Sequence, residues 1–323
     1  MTALCPLRFE PFFRRYLWGG RRLESILGKP LGPGDDYAES WEVADHGPDQ
    51  SVVRDGPFAG MRLADLRNEY GERLLGRRSG GDRFPLLFKF LDAQRPLSVQ
   101  VHPGDAMAAT LDPPDLGKTE AWIVIHAEPG SRIFAGLEPG TDRSTFEKAL
   151  RHGDVERFLH SIEPRVGDCV FLPAGVVHAI GAGLVIAEIQ QSSDTTFRLF
   201  DWNRLGPGGR PRTLHIDQGL RAIDFDHGPV ERVTPVPTDE PGRERLIACP
   251  YFIVDRVMGT EPRAVGGDGR FHMVAVLKGR ADVVFPGNRF PIAFGETALI
   301  PAECTTRFEP DGGTVLLDMA PGP

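Results

Sequence analysis

The stretch Pro96-Leu97-Ser98-Val99-Gln100-Val101-His102-Pro103 decides the fold of this chain. Within it, Gln100 and His102 alternate with two valines, which is the pattern of a strand. Residues two apart in a strand lie on the same face, so we expect the amide oxygen and the imidazole to point into one space. The sequence therefore predicts a strand that carries two candidate metal ligands on one side.

A second polar pair follows after a loop, in Leu116-Gly117-Lys118-Thr119-Glu120-Ala121-Trp122. Lys118 and Glu120 repeat the spacing of two residues, which adds an ammonium and a carboxylate on one face. Four polar groups that face one way from two β-like segments are typical of a metal site with a general acid or base beside it.

The composition indicates a globular, mainly β protein. With 323 residues, of which 41% are hydrophobic and 25% charged, the chain is long enough for two domains that each bury a core. Its 38 glycines and 29 prolines are spread along the whole sequence, so turns are frequent. Many short strands are therefore favoured over a few long helices.

The charge and the cysteines argue against several classes of protein. A net charge of -8 leaves no basic face for a nucleic acid, although a few converging cations can still bind a small anion.

No window of the sequence approaches the ~20 apolar residues that span a bilayer, and the N-terminus lacks a signal-peptide core. The four cysteines lie far apart in the sequence and form no C-x-x-C pair, so we expect them to be reduced thiols. We therefore expect a cytoplasmic protein without nucleic-acid or membrane partners.

Hydrophobic periodicity predicts only a few short helices. Apolar residues recur at intervals of three or four over 61–75, which predicts one helix there. A capping-box pattern, Ser144 with Glu147, opens a second helix to about residue 150, and a third is expected over 154–161. These two form a helical insertion around 142–162. Residues 216–223 are a fourth candidate.

The remaining apolar runs are interpreted as strands. They cover residues 38–43, 84–90, 121–125, 131–136, 164–173, 184–190, 197–200, 252–258, 272–277, 281–285, 298–300 and 314–319. Residues 228–245 are dense in proline and charge and are predicted to form a linker.

A further histidine lies in Gly167-Asp168-Cys169-Val170-Phe171-Leu172-Pro173-Ala174-Gly175-Val176-Val177-His178. This segment has the form G-x5-P-x-G-x2-H and is similar to the second motif of the cupin barrels. Its glycines and proline fit the tight corners of a small barrel, and the spacing returns His178 to the barrel interior. With Gln100, His102 and Glu120 it makes a set of nitrogen and oxygen ligands that suits zinc.

One motif is excluded. Gly117-Lys118-Thr119 resembles the end of a phosphate-binding loop, G-x-x-x-x-G-K-T. The first glycine of that loop would fall on Asp112, and Pro113-Pro114 stands where a flexible cradle is needed. The sequence therefore does not predict a nucleotide site.

Taken together, these motifs resemble the type I mannose-6-phosphate isomerases in their short bacterial form, densely over roughly residues 10–225 and loosely beyond. The resemblance is carried by Tyr16-x-Trp18-Gly19-Gly20, Glu39-Ser40-Trp41-Glu42, Pro96-Leu97-Ser98-Val99-Gln100-Val101-His102-Pro103, Gly117-Lys118-Thr119-Glu120, Pro173-Ala174-Gly175-x-x-His178-Ala179-Ile180 and Gln190-Gln191-Ser192-Ser193-Asp194-Thr195-Thr196-Phe197-Arg198.

The resemblance implies a zinc-dependent enzyme of two cupin (jelly-roll-like) barrels that interconverts mannose 6-phosphate and fructose 6-phosphate. Its partner would be a small-molecule sugar phosphate. The metal ligands of the family fall on Gln100, His102, Glu120 and His178, and its active-site lysine and arginine fall on Lys118 and Arg198.

The two cationic residues each have an alternative role. We expect Lys118, beside a divalent cation and partly desolvated, to transfer the proton between C2 and C1. Alternatively, it binds the phosphate as a point charge only. Arg198 can offer a fork of donors to an enediolate or a phosphate, or it forms a salt bridge to Asp194 or Asp201.

The predicted domains are a catalytic cupin domain over 1–227, the linker over 228–245, and a cupin-like barrel over 246–323. The turn from Gly295 to Ala302 resembles the second cupin motif, but Glu303 replaces a glycine and no histidine follows three residues later. No metal site is therefore expected in the C-terminal barrel.

Two other functions are compatible with a cupin. An iron-dependent dioxygenase usually binds its metal through three histidines, whereas the set here has two histidines and an amide. A non-catalytic sugar-phosphate binder would not need Lys118 and Arg198 beside an intact ligand set.

Overall fold

The structure is a computed structural model that describes residues 2–77 and 83–323. Strands dominate it, which confirms the mainly β prediction. They are β1 Phe9–Glu10, β2 Phe12–Gly20, β3 Tyr37–Val43, β4 Asp45–His46, β5 Asp49–Gln50, β6 Val52–Val53, β7 Leu86–Ala93, β8 Val99–Val101, β9 Glu120–Ala127, β10 Ile133–Leu137, β11 Leu159–Ile162, β12 Cys169–Leu172, β13 His178–Ile180, β14 Leu184–Gln191, β15 Phe197–Phe200, β16 Val236–Pro237, β17 Arg243–Ala248, β18 Phe252–Gly259, β19 Arg263–Gly266, β20 His272–Phe285, β21 Asn288–Ala293, β22 Thr297–Ile300 and β23 Thr305–Pro321.

The helices are few and short, as the frequency of turn residues predicts. Those in the described ranges are α1 Arg22–Ser25, α2 Leu63–Tyr70, α3 Glu72–Leu75, α4 Asp105–Ala108, α5 Arg143–His152 and α6 Ile216–Ala222. The last confirms the helix predicted over 216–223. None of these helices is long and apolar enough to cross a bilayer.

The helix predicted over 61–75 is interrupted. It consists of α2 and α3, which are separated by Gly71 with φ 49° and ψ -121°. Only glycine adopts such a conformation without strain, so the chain turns at this residue although the apolar periodicity continues.

The helical insertion around 142–162 contains one α-helix, α5. Its N-cap is Asp142, whose side chain accepts a hydrogen bond from the backbone N–H of Thr145, so the cap lies two residues before Ser144. The helix predicted over 154–161 is wrong. A single 3-10 turn, Glu156–Phe158, leads directly into β11, which pairs with β10. Pairing buries the apolar ends of β11, and this outweighs the local helix signal.

Two antiparallel sheets face each other in the N-terminal unit, which we define as residues 2–235. One has five strands in the order β11-β10-β13-β8-β15, and the other has six in the order β12-β9-β14-β7-β3-β2. Leu91 and Trp122 of the six-stranded sheet pack against Ile133 and Ile180 of the five-stranded sheet. Each sheet keeps two edge strands, which is the jelly-roll-like form of barrel.

The six-stranded sheet is buried on both faces. In β9, Trp122 and Val124 face the five-stranded sheet, whereas Ala121 and Ile123 belong to a second apolar cluster on the opposite face. Strands covered on both sides need apolar residues at nearly every position. This explains why β7, β9 and β14 are nearly continuous apolar runs in the sequence.

The C-terminal unit, residues 236–323, is built on one eight-stranded sheet. Its main path is β16-β17-β18-β23-β20-β21, and β19 and β22 pair with β23 and β20. The long strands β20 and β23 shift register near Lys278, so the sheet bends over its own core. That core includes Val257, Val276, Ile292 and Phe308.

The two units share one apolar cluster. Leu7 forms a β-bridge with Leu299, and the rings of Phe84 and Phe271 lie 4.4 Å apart between their centroids. Parts of the predicted linker over 228–245 are hydrogen-bonded to neighbouring strands. Arg232 forms a β-bridge with Val170, and β17 begins at Arg243, inside the predicted linker. We therefore propose that the boundary between domains lies near residue 235.

Candidate metal centre

Three strands bring the predicted ligands together. Gln100 on β8 is paired directly with His178 at the start of β13, and His102 follows β8 by one residue. Glu120 opens β9 in the opposite sheet. The two facing sheets therefore present their polar side chains to one point in the barrel interior.

The ligand atoms converge closely. The Nε2 atoms of His102 and His178 lie 3.2 Å apart, and each lies 3.4 Å from an oxygen of Glu120. The amide nitrogen of Gln100 lies 3.3 Å from Nε2 of His178. His102, Glu120 and His178 are all buried, and their ligand atoms lie within 4.8 Å of one another, so these three could hold a metal ion.

Hydrogen bonds to the backbone orient both imidazoles. Nδ1 of His102 lies 2.9 Å from the carbonyl oxygen of Thr195, and Nδ1 of His178 lies 2.8 Å from that of Val176. A carbonyl only accepts, so each Nδ1 carries the proton. Each Nε2 therefore carries no proton and keeps the lone pair that a metal would bind.

The electrostatics of the cluster suit a cation. Burial lowers the pKa of His102 to about 3, with a further contribution from Lys118, and burial also lowers the pKa of His178. Both rings are therefore neutral at neutral pH. Burial alone would raise the pKa of Glu120, but Lys118 and His102 hold it well below its usual value. Oε2 of Glu120 lies 2.9 Å from the ammonium of Lys118, so the carboxylate is held ionised beside the two imidazoles.

A cavity of about 260 Å³ opens beside the cluster. Gln100 lines it, and its other polar lining is strongly charged. The cations are Lys89, Lys118, Arg198 and Arg212, and the acids are Glu39, Glu188 and Asp194. Tyr16 and Trp18 form an aromatic wall with stacked rings. The cavity can therefore hold a small, polar, anionic molecule against the candidate metal ligands.

Both predicted cations lie at this cavity. Nζ of Lys118 lies 2.9 Å from Oε2 of Glu120 and 3.2 Å from Nε2 of His102. Arg198 donates through Nη1 to the carbonyl of Thr213 at 2.9 Å, and burial together with the neighbouring Arg212 lowers its pKa.

The alternative salt bridges of Arg198 do not occur among the described residues. Asp201 is instead bound by Arg204 and Arg212, at 2.7 and 2.6 Å. The buried Nε of Arg198 has no hydrogen-bond partner within the described ranges, so this guanidinium keeps donor capacity at the cavity.

Lys89 and Glu188 were not predicted as site residues. They face each other across paired strands, with Nζ of Lys89 lying 3.1 Å from Oε1 of Glu188. Nε1 of Trp122 donates to Glu188 at 2.8 Å. Burial opposes the charge on Lys89, but Glu188 and Glu39 outweigh it and raise its pKa. The sequence did offer one indication of their role, because Lys89 and Glu188 are each a charged residue inside an otherwise apolar strand.

The histidine of the C-terminal unit has a different environment. Nδ1 of His272 lies 2.6 Å from Asp318, and Nε2 lies 3.1 Å from Asp268. Both ring nitrogens are thus engaged with carboxylates.

Two facing sheets that converge on a buried His-Glu-His cluster define a cupin with a candidate metal centre. Residues 7–118 match the family model "phosphomannose isomerase type I, catalytic domain". The mannose-6-phosphate isomerase ManA of Bacillus subtilis is 33% identical over 297 residues, which are 92% of this chain and 93% of that protein. The chain belongs to the type I mannose-6-phosphate isomerase family.

Solved structures agree with this assignment. The crystal structure of a mannose 6-phosphate isomerase from Bacillus subtilis superposes with a TM-score of 0.89 at 28% identity, covering 98% of this chain and 99% of that one. A mannose 6-phosphate isomerase with bound zinc and yttrium has the same fold, with a TM-score of 0.77 at 15% identity, covering 99% of this chain and 100% of the other.

Proposed function

We propose that this chain interconverts mannose 6-phosphate and fructose 6-phosphate in the cavity beside His102, Glu120 and His178. One observation carries the proposal: a buried cluster of metal-ligand atoms lies beside a cavity that is lined by Gln100 and Lys118 and carries further cationic side chains. Sequence relatives named for this activity cover nearly the whole chain, which supports the same reaction here.

We propose that one zinc ion binds to Gln100, His102, Glu120 and His178. Neutral imidazoles and an ionised carboxylate are ligands that zinc prefers. The amide of Gln100 can present its oxygen after a rotation of its terminal group, because the nitrogen and oxygen ends of an amide have nearly the same size and shape. When bound, zinc supplies a Lewis acid that polarises the substrate oxygens.

Lys118 is proposed to transfer the proton between carbons. In this isomerisation a proton leaves C2 of the aldose and returns to C1 of the ketose, while a hydroxyl proton moves between the two oxygens. A single base can carry the carbon-bound proton if it reaches both carbons. Lys118 is assigned this role because it lines the cavity and its Nζ lies 3.2 Å from Nε2 of His102, and it would accept the proton as the neutral amine.

The test of this role is Lys118→Met, which keeps the length of the side chain and removes the amine. We expect kcat to fall by at least about a hundredfold, the lower range for general acid–base catalysis, while zinc remains bound. A variant that retains zinc and most of its turnover would contradict the role as base and favour simple phosphate binding.

Arg198 is proposed to bind the phosphate or the negative charge that develops during the reaction. Its guanidinium lines the cavity and forms no carboxylate pair among the described residues. A planar fork of donors suits either group.

The experiment that tests the function is a coupled assay with mannose 6-phosphate on purified protein before and after chelation. We expect turnover that is lost with the chelator and restored by zinc. Zinc-loaded protein that does not convert mannose 6-phosphate would contradict the proposal.

We propose that residues 2–235 form the catalytic domain and that the C-terminal barrel supports it. We also propose a cytoplasmic location. Its support is the state of Cys5, Cys169, Cys249 and Cys304, which are all free thiols, as expected in a reducing compartment.

A further inference from the structure

Asp115 is a partly buried carboxylate in the loop before Lys118, and the function proposed above gives it no role. Its side chain is only 10% exposed. Six donors surround it: the side chains of His46, Arg83, Ser193 and Thr195 and the backbone N–H groups of Leu116 and Asp194. A surface loop rarely concentrates so many hydrogen bonds on one side chain, so its position is tightly determined.

Three of these donors belong to the segment that orients a candidate metal ligand. Asp115 accepts hydrogen bonds from the hydroxyls of Ser193 and Thr195, each at 2.9 Å, and from the N–H of Asp194 at 3.3 Å. The carbonyl of the same Thr195 accepts the Nδ1–H of His102 at 2.9 Å. The orientation of His102 therefore depends on a carbonyl whose position Asp115 determines.

Asp115 is held in its charged form. Burial raises its pKa, but hydrogen bonds from His46, Leu116 and Ser193 outweigh burial and keep the pKa well below its usual value. Nη1 of Arg83 lies 2.7 Å away and adds an ion pair. Hydrogen bonds to a charged acceptor are stronger than those to a neutral one, so the carboxylate holds residues 193–195 more firmly than an amide would.

We propose that Asp115 is a positioning residue of the metal centre, which acts through Thr195 to fix the tautomer and orientation of His102. This inference rests on the proposed function, because it treats His102 as a metal ligand. The partners that orient ligating histidines affect metal affinity, and their removal typically costs 10- to 100-fold.

The test compares Asp115→Asn with Asp112→Asn. Both substitutions make the same chemical change in the same loop, but the side chain of Asp112 is exposed. Zinc affinity is measured by competition with a chromophoric chelator. We expect Asp115→Asn to weaken it by roughly 10- to 100-fold and Asp112→Asn to leave it unchanged. Equal affinities of Asp115→Asn and the unsubstituted protein would overturn the inference.

A spectroscopic readout separates positioning from a general loss of structure. In protein with 15N-labelled histidine, the Nδ1–H of His102 is expected to give a downfield proton signal. Asp115→Asn should shift or broaden this signal while that of His178, bonded to Val176, stays in place. An unchanged His102 signal would contradict the proposal.

A second variant keeps the inference testable if Asp115→Asn does not fold. Thr195→Val removes one hydroxyl bonded to Asp115 and retains the carbonyl bonded to His102. We expect weaker zinc binding and a shifted His102 signal here too, and no change in either would overturn the inference.

If the unsubstituted protein binds zinc but does not isomerise mannose 6-phosphate, the proposed function fails while the positioning of His102 is still tested by affinity. If it does not bind zinc at all, both fail.

Discussion

At the scale of single residues, the site contains more buried acid than base. Glu39, Glu120 and Glu188 are all buried, and the buried ammonium groups beside them are Lys89 and Lys118. Taking unbalanced charge out of water is costly unless a further opposite charge compensates it. A divalent cation at the ligand cluster supplies that compensation, and it leaves the cavity suited to an anionic substrate.

His272 shows the opposite arrangement, in which a histidine is kept charged. Burial disfavours its protonation, but Asp318 and Asp268 outweigh burial and raise its pKa to about 9. An unfolded histidine has a pKa of about 6.5, so protonated His272 favours the folded state. This stabilisation is complete below about pH 6.5 and is lost as the pH rises through about 9.

We therefore predict that the free energy of unfolding falls between pH 6.5 and pH 9.5, by about 3 kcal/mol from this group. His272→Gln should lack this component, because glutamine does not titrate. Urea unfolding at several pH values, on the metal-free unsubstituted protein and on the metal-free variant, measures how the free energy of unfolding of each depends on pH. Parallel curves for the two proteins would show that His272 is not charged in the folded state.

Sequence patterns predicted the candidate ligands that the structure brings together, but they did not predict the charged side chains around them. His102 and His178 were predicted from spacing within local motifs, and the structure brings them together with Glu120. Lys89 and Glu188 each interrupt an apolar strand, and only the pairing of β7 with β14 shows that they are opposite each other. Strand register is a tertiary property, so no local pattern specifies it.

At the scale of elements, Gly71 shows how one backbone conformation overrides a periodic pattern. A Cβ added at Gly71 would meet nothing within 4 Å, so any cost of replacing it comes from the backbone alone. We predict that Gly71→Ala lowers the free energy of unfolding by about 1–3 kcal/mol, because φ 49° with ψ -121° is strained for alanine.

Gly104→Ala is the matched control for this prediction. A Cβ added at Gly104 would likewise meet nothing within 4 Å, but the φ of -75° and ψ of 167° at this residue are accessible to any amino acid. Alanine there should be neutral or stabilise the protein by up to about 1 kcal/mol. Chemical denaturation of both variants measures the difference, and equal effects would contradict the role of the backbone at Gly71.

The elements that were predicted correctly are those in which the local sequence pattern and the burial in the folded protein favour the same secondary structure. Strands β7, β9 and β14 are nearly continuous apolar runs because both of their faces are covered. The predicted helix over 154–161 failed because Leu159 and Ile162 are buried by sheet pairing with β10, a contact that the local sequence does not specify.

At the scale of the whole molecule, the two units are not independent. Two barrels with a linker were predicted, and the structure has two β units, but one apolar cluster extends from Leu66 and Phe84 to Phe271 and Met319. The apolar residues of this shared core were recognisable as buried. Their partners were not, because contacts between residues so distant in the sequence leave no periodic signal.

The C-terminal unit also reaches the loop that carries Lys118. The hydroxyl of Tyr251 donates to Asp105 at 2.8 Å, and Asp105 accepts from the N–H of Gly117 at 2.8 Å and from the amide of Gln191 at 3.0 Å. The oxygen of that amide in turn accepts the N–H of Thr119 at 2.9 Å. The backbone is thus held on both sides of Lys118 by groups connected to Tyr251.

This connection predicts that Tyr251→Phe impairs catalysis more than stability. Phenylalanine retains the ring and removes only the hydroxyl, so the free energy of unfolding should fall by about 1 kcal/mol, as for one hydrogen bond. Small displacements of a catalytic group are costly, and we expect kcat/KM for mannose 6-phosphate to fall by roughly tenfold, mainly through kcat. Tyr37→Phe is the control, because the one partner of its hydroxyl among the described residues is the carbonyl of Pro33 at 3.3 Å, within the N-terminal unit and outside the cavity lining. If both variants lose activity equally, or neither does, the C-terminal barrel does not act on the site through Tyr251.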